Sequence, residues 1–191
     1  MSPLPPIRRN VTVSWDQAAA FRRFTEQFAG WWPFRTHSIG GKCVKRLVFE
    51  CRAGGLIFEE HVDGRRFQWG RVLEFDAPRR VKFTWHPSRD AATAQEVELS
   101  FVPDGNGTRV ELVSDKWENW GKHAERARRG YDMGWGYVLN IWAGRRTPRM
   151  AVLDGLSLVM RGVELLRGGT RASIARAGGE IAQAAPRETA R

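Results

Sequence analysis

Alternation of apolar and polar side chains predicts strands through the middle of the chain. Within residues 44–117, six short alternating segments are separated by turn signals, and a further strand is predicted over residues 7–13. The pair Asp63-Gly64 and the run Asp-Gly-Asn-Gly at 104–107 are strong hairpin signals. Because such turns join neighbouring strands, the pattern predicts an antiparallel sheet.

An aromatic-rich helix is predicted on each side of this block. The first runs from Gln17 to Phe28, with Asp16 available as its cap and Gly30 expected to end it. The second reads from Glu125 to Trp142. One of its faces carries residues spaced by four, three and four: Tyr131, Trp135, Val138 and Trp142.

This order of elements predicts an α+β fold in which a curved antiparallel sheet is closed by the long second helix. Such an arrangement tends to leave an apolar cavity, and pockets between layers are where small ligands usually bind. Gly130, Gly134 and Gly136 each weaken the closing helix by roughly 0.8–1 kcal/mol relative to alanine. Close packing against the sheet or space for a ligand would compensate, and we favour packing.

Aromatic and carboxylate side chains on the predicted inner faces are the candidate wall of this cavity. They are Trp32, Phe49, Phe58, Glu59, Trp69, Trp85, Tyr131, Asp132 and Trp135. Among them we favour Trp69 and Trp135, since an indole offers an apolar surface and an N–H that orients a guest. The same side chains can also serve as core, because the wall of such a cavity is continuous with the core.

The carboxylates of this set have two interpretations. Glu59 and Glu60 are consecutive strand residues and must point to opposite faces, but the alternation does not decide which one points inward. A carboxylate inside the cavity would be a candidate acid or base. The commoner role for Glu59 or Asp132 is to satisfy Arg71 or a backbone group.

Neither a catalytic nucleophile nor a metal centre is expected. Cys43 and Cys51 have no histidine motif beside them, and they are too far apart along an extended strand to form a disulfide. The four histidines include no pair at metal-binding spacing on a helix: His37, His61, His86 and His123. We therefore predict no metal, no cofactor and no assigned catalytic residue.

The formal net charge of +10 raises the question of nucleic-acid binding. Arginine pairs are scattered over expected turns and solvent-facing positions and form no single stripe: Arg8-Arg9, Arg22-Arg23, Arg65-Arg66, Arg79-Arg80 and Arg145-Arg146. A nucleic-acid surface would concentrate such charges on one face. Nucleic acid is therefore not an expected partner.

Several short motifs carry a resemblance to a known family across roughly residues 8–146. They are Asn10-Val11-Thr12-Val13, Ala20-Phe21-Arg22-Arg23-Phe24-Thr25, Trp31-Trp32-Pro33, His37-Ser38-Ile39-Gly40, Gly54-Gly55, Phe58-Glu59, Asp63-Gly64, Trp69-Gly70-Arg71-Val72, Pro78-Arg79-Arg80, Gly107-Thr108-Arg109-Val110-Glu111-Leu112 and Gly130-Tyr131-Asp132 followed by Gly134-Trp135. In order and spacing they resemble bacterial proteins similar to the C-terminal domain of the activator of Hsp90 ATPase. Those proteins belong to the START-like (SRPBCC) superfamily.

The resemblance implies a helix-grip fold and three classes of function. START-like cavities bind lipids and other hydrophobic ligands, and some cyclise or aromatise polyketides. The eukaryotic namesake stimulates a chaperone ATPase, but it engages the chaperone through a separate N-terminal domain, whereas the fold here is expected to begin near residue 8. Our leading prediction is binding of a small hydrophobic or aromatic molecule without catalysis. The alternatives are a cyclase- or aromatase-type enzyme and a chaperone-interaction module.

The chain divides into three predicted parts: a START-like domain over 1–146, an amphipathic helix over 147–168 and an Ala/Arg-rich tail over 169–191. The helix must bury its apolar face by docking on the domain, by forming a homodimer or by covering the cavity mouth, and its arginines also suit an anionic membrane surface. No stretch approaches the ~20 apolar residues of a membrane span, and the N-terminus lacks a signal-peptide core. A cytoplasmic location is expected.

Overall fold

A computed structural model describes residues 4–145 as a seven-stranded antiparallel sheet with three helices. The strands are β1 (Ile7–Val13), β2 (Val44–Phe49), β3 (Leu56–His61), β4 (Arg66–Asp76), β5 (Arg80–Trp85), β6 (Gln95–Asp104) and β7 (Gly107–Asp115). The helices are α1 (Gln17–Phe24), α2 (Phe28–Trp31) and α3 (Ala124–Trp142). Single-turn or short 3-10 helices occupy Gly41–Cys43, Ala91–Thr93 and Trp117–His123.

The sheet is a curled half-barrel with the strand order β1-β7-β6-β5-β4-β3-β2. All six strands predicted between residues 44 and 117 are present, and each pairs with its neighbour along the chain through an antiparallel connection. The first strand pairs with the last, so β1 lies at one edge beside β7. The predicted α+β helix-grip fold is thereby confirmed.

Alternation explains why one face of β5, β6 and β7 packs inward, on the side of α3. In each of these strands nearly every second residue is buried, and the buried set includes Val81, Phe83, Leu99 and Leu112. Because side chains of a strand point to opposite faces in turn, one face of these strands packs inward. Trp142, near the end of α3, is fully buried in contact with inward-facing aromatic rings.

The first predicted helix is divided in two, which corrects the expectation of one helix ending at Gly30. Asp16 caps α1 as predicted, since its carboxylate accepts a 2.7 Å hydrogen bond from the N–H of Ala19. The helix then ends at Thr25, whose hydroxyl donates to the Phe21 carbonyl at 2.9 Å. A threonine that bonds back to the preceding turn disturbs a helix. Gly30 lies within the short α2.

Gly70 marks a place where two strands approach closely. A Cβ at this position would overlap the backbone carbonyl of Thr84 on the neighbouring strand β5. The register of β4 also shifts on both sides of this point, between Ile57 and Phe58 of β3 and between Val72 and Glu74 of β4 itself. Only glycine fits such an approach without moving the backbone.

The two cysteines lie within the described residues, whereas the predicted C-terminal parts of the chain do not. Cys43 and Cys51 are both free thiols. The predicted amphipathic helix over 147–168 and the tail over 169–191 lie outside the described residues, as does the predicted boundary at residue 146. Within residues 4–145, no helix combines the length and the apolar character needed to cross a membrane.

Candidate functional site

A cavity of about 760 Å³ lies beside α3 at one end of the curled sheet. Pockets that take small molecules usually measure about 300–1,000 Å³, so this one has a suitable size. Its walls come from α3, the end of β5 and three connecting segments. The lining residues are Trp32, His37, Ser38, Ile39, Trp85, Pro87, Ser88, Arg89, Trp120, His123, Arg126, Ala127, Gly130, Tyr131, Gly134, Trp135 and Val138.

One face of α3 supplies the longest wall of the cavity. The lining positions on this helix recur at intervals of three and four: Arg126 and Ala127, Gly130 and Tyr131, Gly134 and Trp135, then Val138. Residues three or four apart lie above one another on a helix surface. The stripe therefore runs along the helix from an exposed arginine to a buried valine.

The glycines of this stripe leave open space. A Cβ built at Gly130 or Gly134 would meet no atom within 4 Å outside its own helix turn. The expectation that these glycines permit close packing against the sheet is therefore wrong for both positions. At Gly136, outside the cavity, a Cβ would come no nearer than 3.9 Å to the Nε atom of Arg9. Space beside the helix, rather than contact with it, is what the two cavity glycines provide.

Four indoles form a cluster at the buried end of the cavity. The ring centroids of Trp85 lie 5.5 Å from Trp135, 5.3 Å from Trp32 and 5.4 Å from Trp69. Three of them line the cavity, whereas Trp69 is fully buried and lies behind Trp32 and Trp85. We call Trp32, Trp69, Trp85 and Trp135 the tryptophan cluster. The Trp135 indole N–H has no hydrogen-bond acceptor among the described residues.

Hydrogen bonds from two directions hold the loop that forms the opposite wall. The indole N–H of Trp32 donates to the His37 carbonyl at 2.7 Å. From β3, the Glu59 carboxylate accepts backbone N–H groups of Ile39 at 2.9 Å and Gly40 at 2.7 Å. His37 and Ile39 line the cavity, so these bonds fix part of its wall.

Glu59 is fully buried and shares its position with a histidine. The distance between Oε1 of Glu59 and Nε2 of His61 is 2.5 Å, and His61 is only 4% exposed. A carboxylate in a dry environment needs several hydrogen bonds to offset its lost hydration. Two backbone donors and an imidazole supply them here. Glu59 therefore holds the loop in place and is not part of the cavity surface.

Tyr131 lines the cavity and is partly buried. Burial raises the pKa of its phenol to about 12, although the nearby Arg89 charge and the Gln95 side chain act in the opposite direction. The phenol is consequently neutral near pH 7 and keeps its proton as a hydrogen-bond donor.

The exposed end of the cavity is cationic. Arg89 and Arg126 line it together with His123, and Trp120 lies beneath the Arg89 guanidinium, 3.7 Å from its Cζ atom to the ring centroid. Ser88, just before Arg89, has a positive φ of 62°, which is uncommon outside glycine and often marks a functional position.

The structure distributes the nine predicted site residues over several places. Trp32, Trp85, Tyr131 and Trp135 line the cavity, and Phe49, Phe58, Glu59, Trp69 and Asp132 do not. That any of the nine residues contacts a ligand stays a prediction. Phe49 belongs to the main core, whereas Phe58 packs beneath the Arg66 guanidinium, 5.3 Å from its Cζ atom.

Asp132 also lies away from the cavity. Its carboxylate pairs with Arg9 of β1 at 2.8 Å, and both side chains are partly exposed. Neither Asp132 nor Glu59 is bound by Arg71, whose guanidinium donates to the Gly54 carbonyl at 2.7 Å. The expectation that these carboxylates satisfy protein groups fits, but the partners are Arg9, His61 and the loop backbone.

Sequence reasoning missed the lining residues that belong to connecting segments and to the first turn of α3. They are His37, Ser38, Ile39, Pro87, Ser88, Arg89, Trp120, His123 and Arg126. Pro87, Ser88 and Arg89 all belong to the connection between β5 and β6. Helical spacing could have found Arg126, because it lies four residues before Gly130 on the same face. The described residues contain no group of three metal-ligating side chains.

The chain is similar to several solved structures. CalC from Micromonospora echinospora, a self-sacrificing resistance protein, is 30% identical over 73% of this chain and 92% of its own, with a TM-score of 0.56. Protein BH1534 from Bacillus halodurans is 17% identical over 75% of this chain and 96% of its own, with a TM-score of 0.53. The synthase Txn09 is 34% identical over 68% of this chain and 88% of its own, with a TM-score of 0.48. No curated protein matches the chain.

The family comparison covers most of the described fold. The family described as Activator of Hsp90 ATPase homolog 1-like protein matches residues 17–141, from the start of α1 to the last residue but one of α3. That range includes every residue that lines the cavity. The chain therefore belongs to the Activator of Hsp90 ATPase homolog 1-like family, within the START-like superfamily.

Proposed function

We propose that this protein binds a small hydrophobic or aromatic molecule in the cavity beside α3. The observation that carries the proposal is a cavity of about 760 Å³ whose buried end is walled by Trp32, Trp85 and Trp135. Indole faces offer a large apolar contact area and stack against other rings. A planar guest of a few rings is the ligand class that fits these walls.

The two cavity glycines support binding because they weaken the helix without improving its packing. Relative to alanine, glycine in a helix interior costs roughly 0.8–1 kcal/mol. A Cβ at Gly130 or Gly134 would be tolerated sterically, so packing does not explain the glycines. Sites that need space or a particular surface often lower stability in this way. Room for a ligand along α3 accounts for both positions.

Binding without catalysis remains favoured over a cyclase-type reaction. An acid–base reaction through Glu59 or Asp132 would need one of these carboxylates in the cavity. Glu59 is occupied by two backbone donors and His61, and Asp132 is paired with Arg9. No observation favours chaperone activation in the described residues.

The proposal is tested by titrating neutral aromatic compounds while tryptophan fluorescence is followed. The Gly134→Leu variant fills the space beside α3, and the Gly136→Leu variant adds the same atoms outside the cavity. Both substitutions remove a helix glycine, so they are matched in helix propensity.

We expect a saturable fluorescence change in the wild-type protein and in Gly136→Leu, and a loss of that change in Gly134→Leu. Circular dichroism of all three proteins checks that they are folded. If no compound in a broad panel gives saturation, or if Gly134→Leu binds like the wild type, the proposal is wrong.

A further inference from the structure

The charged groups that line the cavity all have the same sign. Its titratable basic residues are Arg89, Arg126, His37 and His123, and no aspartate or glutamate lies among the lining residues. Arginine carries its charge at every physiological pH. The cavity wall is thus basic at one end while its other end is built from indoles.

Arg89 is held in position with most of its donors unused. Its guanidinium stacks over the Trp120 ring, and its Nε atom donates to the Thr93 hydroxyl at 3.2 Å. Thr93 in turn donates to the Asp90 carbonyl at 2.7 Å, so this support is itself anchored. Within residues 4–145, the terminal amino groups of Arg89 have no hydrogen-bond partner or ion pair. A planar guanidinium in this state is prepared for a bidentate acceptor.

Arg126 has no counter-ion in the described part of the chain either. It is exposed in the first turn of α3, and its neighbour Glu125 lies outside the cavity lining. By contrast, most basic residues of the sheet are paired; Glu60, for example, receives Arg46 at 2.8 Å and Arg66 at 2.9 Å. Donors on both arginines at the cavity are therefore available to a ligand.

The basic and apolar groups are separated along α3. Arg126 and Val138 are twelve positions apart, which corresponds to about 18 Å along a helix. The solvent-exposed end of this stripe is polar, and the far end is buried beside Trp135. A ligand that satisfies both ends has an apolar body and an acidic group at one end.

We propose that the cavity selects amphipathic anions, with a carboxylate or sulfonate bound by Arg89 and Arg126 and an aromatic body against Trp32, Trp85 and Trp135. This inference rests on the proposed function, since it specifies which small molecules the same cavity prefers. The hydrogen bonds would be charge-assisted, which makes them stronger than those between neutral groups.

The test compares two fluorescent probes that share one ring system. Anilinonaphthalene sulfonate is anionic, and phenylnaphthylamine is its neutral parent. Both are titrated into the wild type, Arg126→Gln and Arg89→Gln. Arg129→Gln is the matched control, because Arg129 is also exposed on α3, loses the same charge and does not line the cavity.

We expect the wild type and Arg129→Gln to bind the anionic probe more tightly than the neutral one. Arg126→Gln and Arg89→Gln should each weaken binding of the anion roughly tenfold or more and leave the neutral probe unchanged. Arg89→Gln also removes the contact with Trp120, so a melting curve checks that variant, and Arg126→Gln carries the test if it unfolds.

Three results would overturn the inference, and one of them would also overturn the proposed function. Equal affinity for the two probes in the wild type would show that the cavity binds aromatics without regard to charge. An equal loss with Arg129→Gln and Arg126→Gln would assign the preference to overall charge. Failure of both probes to bind the folded protein would show that the cavity does not bind such molecules, and it would overturn the proposed function as well.

Discussion

The backbone N–H of Gly40 donates a 2.7 Å hydrogen bond to the buried Oε1 atom of Glu59, which ties the cavity wall to strand β3. The second carboxylate oxygen accepts the N–H of Ile39, a residue of the wall. One fully buried side chain thus satisfies two neighbouring donors of a loop that has no regular secondary structure at that point. The shape of the cavity depends on this carboxylate although the carboxylate does not line it.

Replacing Glu59 by glutamine should lower the free energy of unfolding by about 1–3 kcal/mol. A glutamine side chain has one acceptor oxygen, so its amide group would face one of the two backbone donors. Urea denaturation of the variant measures the loss, with Glu26→Gln as an exposed control in which the same atoms change. A loss no larger than that of the control would contradict the holding role of Glu59.

Replacing Gly40 by alanine should be strongly destabilising because of one neighbour. A Cβ there would overlap the His61 imidazole, while the backbone φ of −86° suits alanine. The double variant with His61→Ala removes the obstacle. Gly40→Ala should therefore lower the free energy of unfolding less in the His61→Ala background than in the wild type, by about 1 kcal/mol or more. Additive losses in a double-mutant cycle measured by urea denaturation would disprove this steric account.

Replacing Gly134 by alanine should stabilise the protein, in contrast to Gly40→Ala. Since the added methyl group meets no atom within 4 Å, the helix should gain roughly 0.8–1 kcal/mol of stability while the cavity becomes narrower. Gly70→Ala is the contrasting case, because its Cβ would overlap the Thr84 backbone carbonyl, and it should destabilise the sheet. Thermal unfolding of both variants checks the two signs. Destabilisation by Gly134→Ala would show that its surroundings are filled.

Glu60 should make the free energy of unfolding fall as the pH is lowered into the acid range. Hydrogen bonds from Arg46 and then Arg66 lower the pKa of this carboxyl from 4.5 to about 2, even though desolvation opposes the shift. A carboxyl whose pKa is lower in the folded state stabilises the fold above its unfolded pKa and loses that contribution as the pH falls. The stability difference between the wild type and Glu60→Gln should therefore shrink between about pH 4.5 and pH 2. Urea denaturation across this range measures it, and a constant difference would contradict the prediction.

The periodicity of the sequence was sufficient for the strands and for α3, because a half-buried element repeats its apolar side chains at the period of its backbone. It did not detect the interruption at Thr25, where a single side-chain hydrogen bond ends α1. The alternation in β3 was uninformative for a physical reason. Ile57 to His61 are all buried, since Glu59 lies under the loop and Glu60 is covered by arginines.

Apart from Trp32, which follows α2 directly, the predicted residues that line the cavity belong to regular elements. Trp85, Tyr131 and Trp135 lie on β5 and α3 and follow from periodicity, but Arg89 lies on a connection whose path no local pattern specifies. Trp69 shows a further limit. Its position on an inner strand face predicts burial but not whether other side chains separate it from the cavity. That distinction depends on tertiary packing, and here Trp32 and Trp85 lie in front.

The most direct test of the central claim follows the indole N–H signals of the nine tryptophans by two-dimensional NMR while phenylnaphthylamine is added. Binding in the cavity should shift the signals of its lining indoles: Trp32, Trp85, Trp120 and Trp135. Trp15 and Trp142, which pack against each other near the C-terminal end of α3, should stay unchanged. If saturating probe leaves the lining signals in place, or moves Trp15 and Trp142 as much, the cavity is not the binding site.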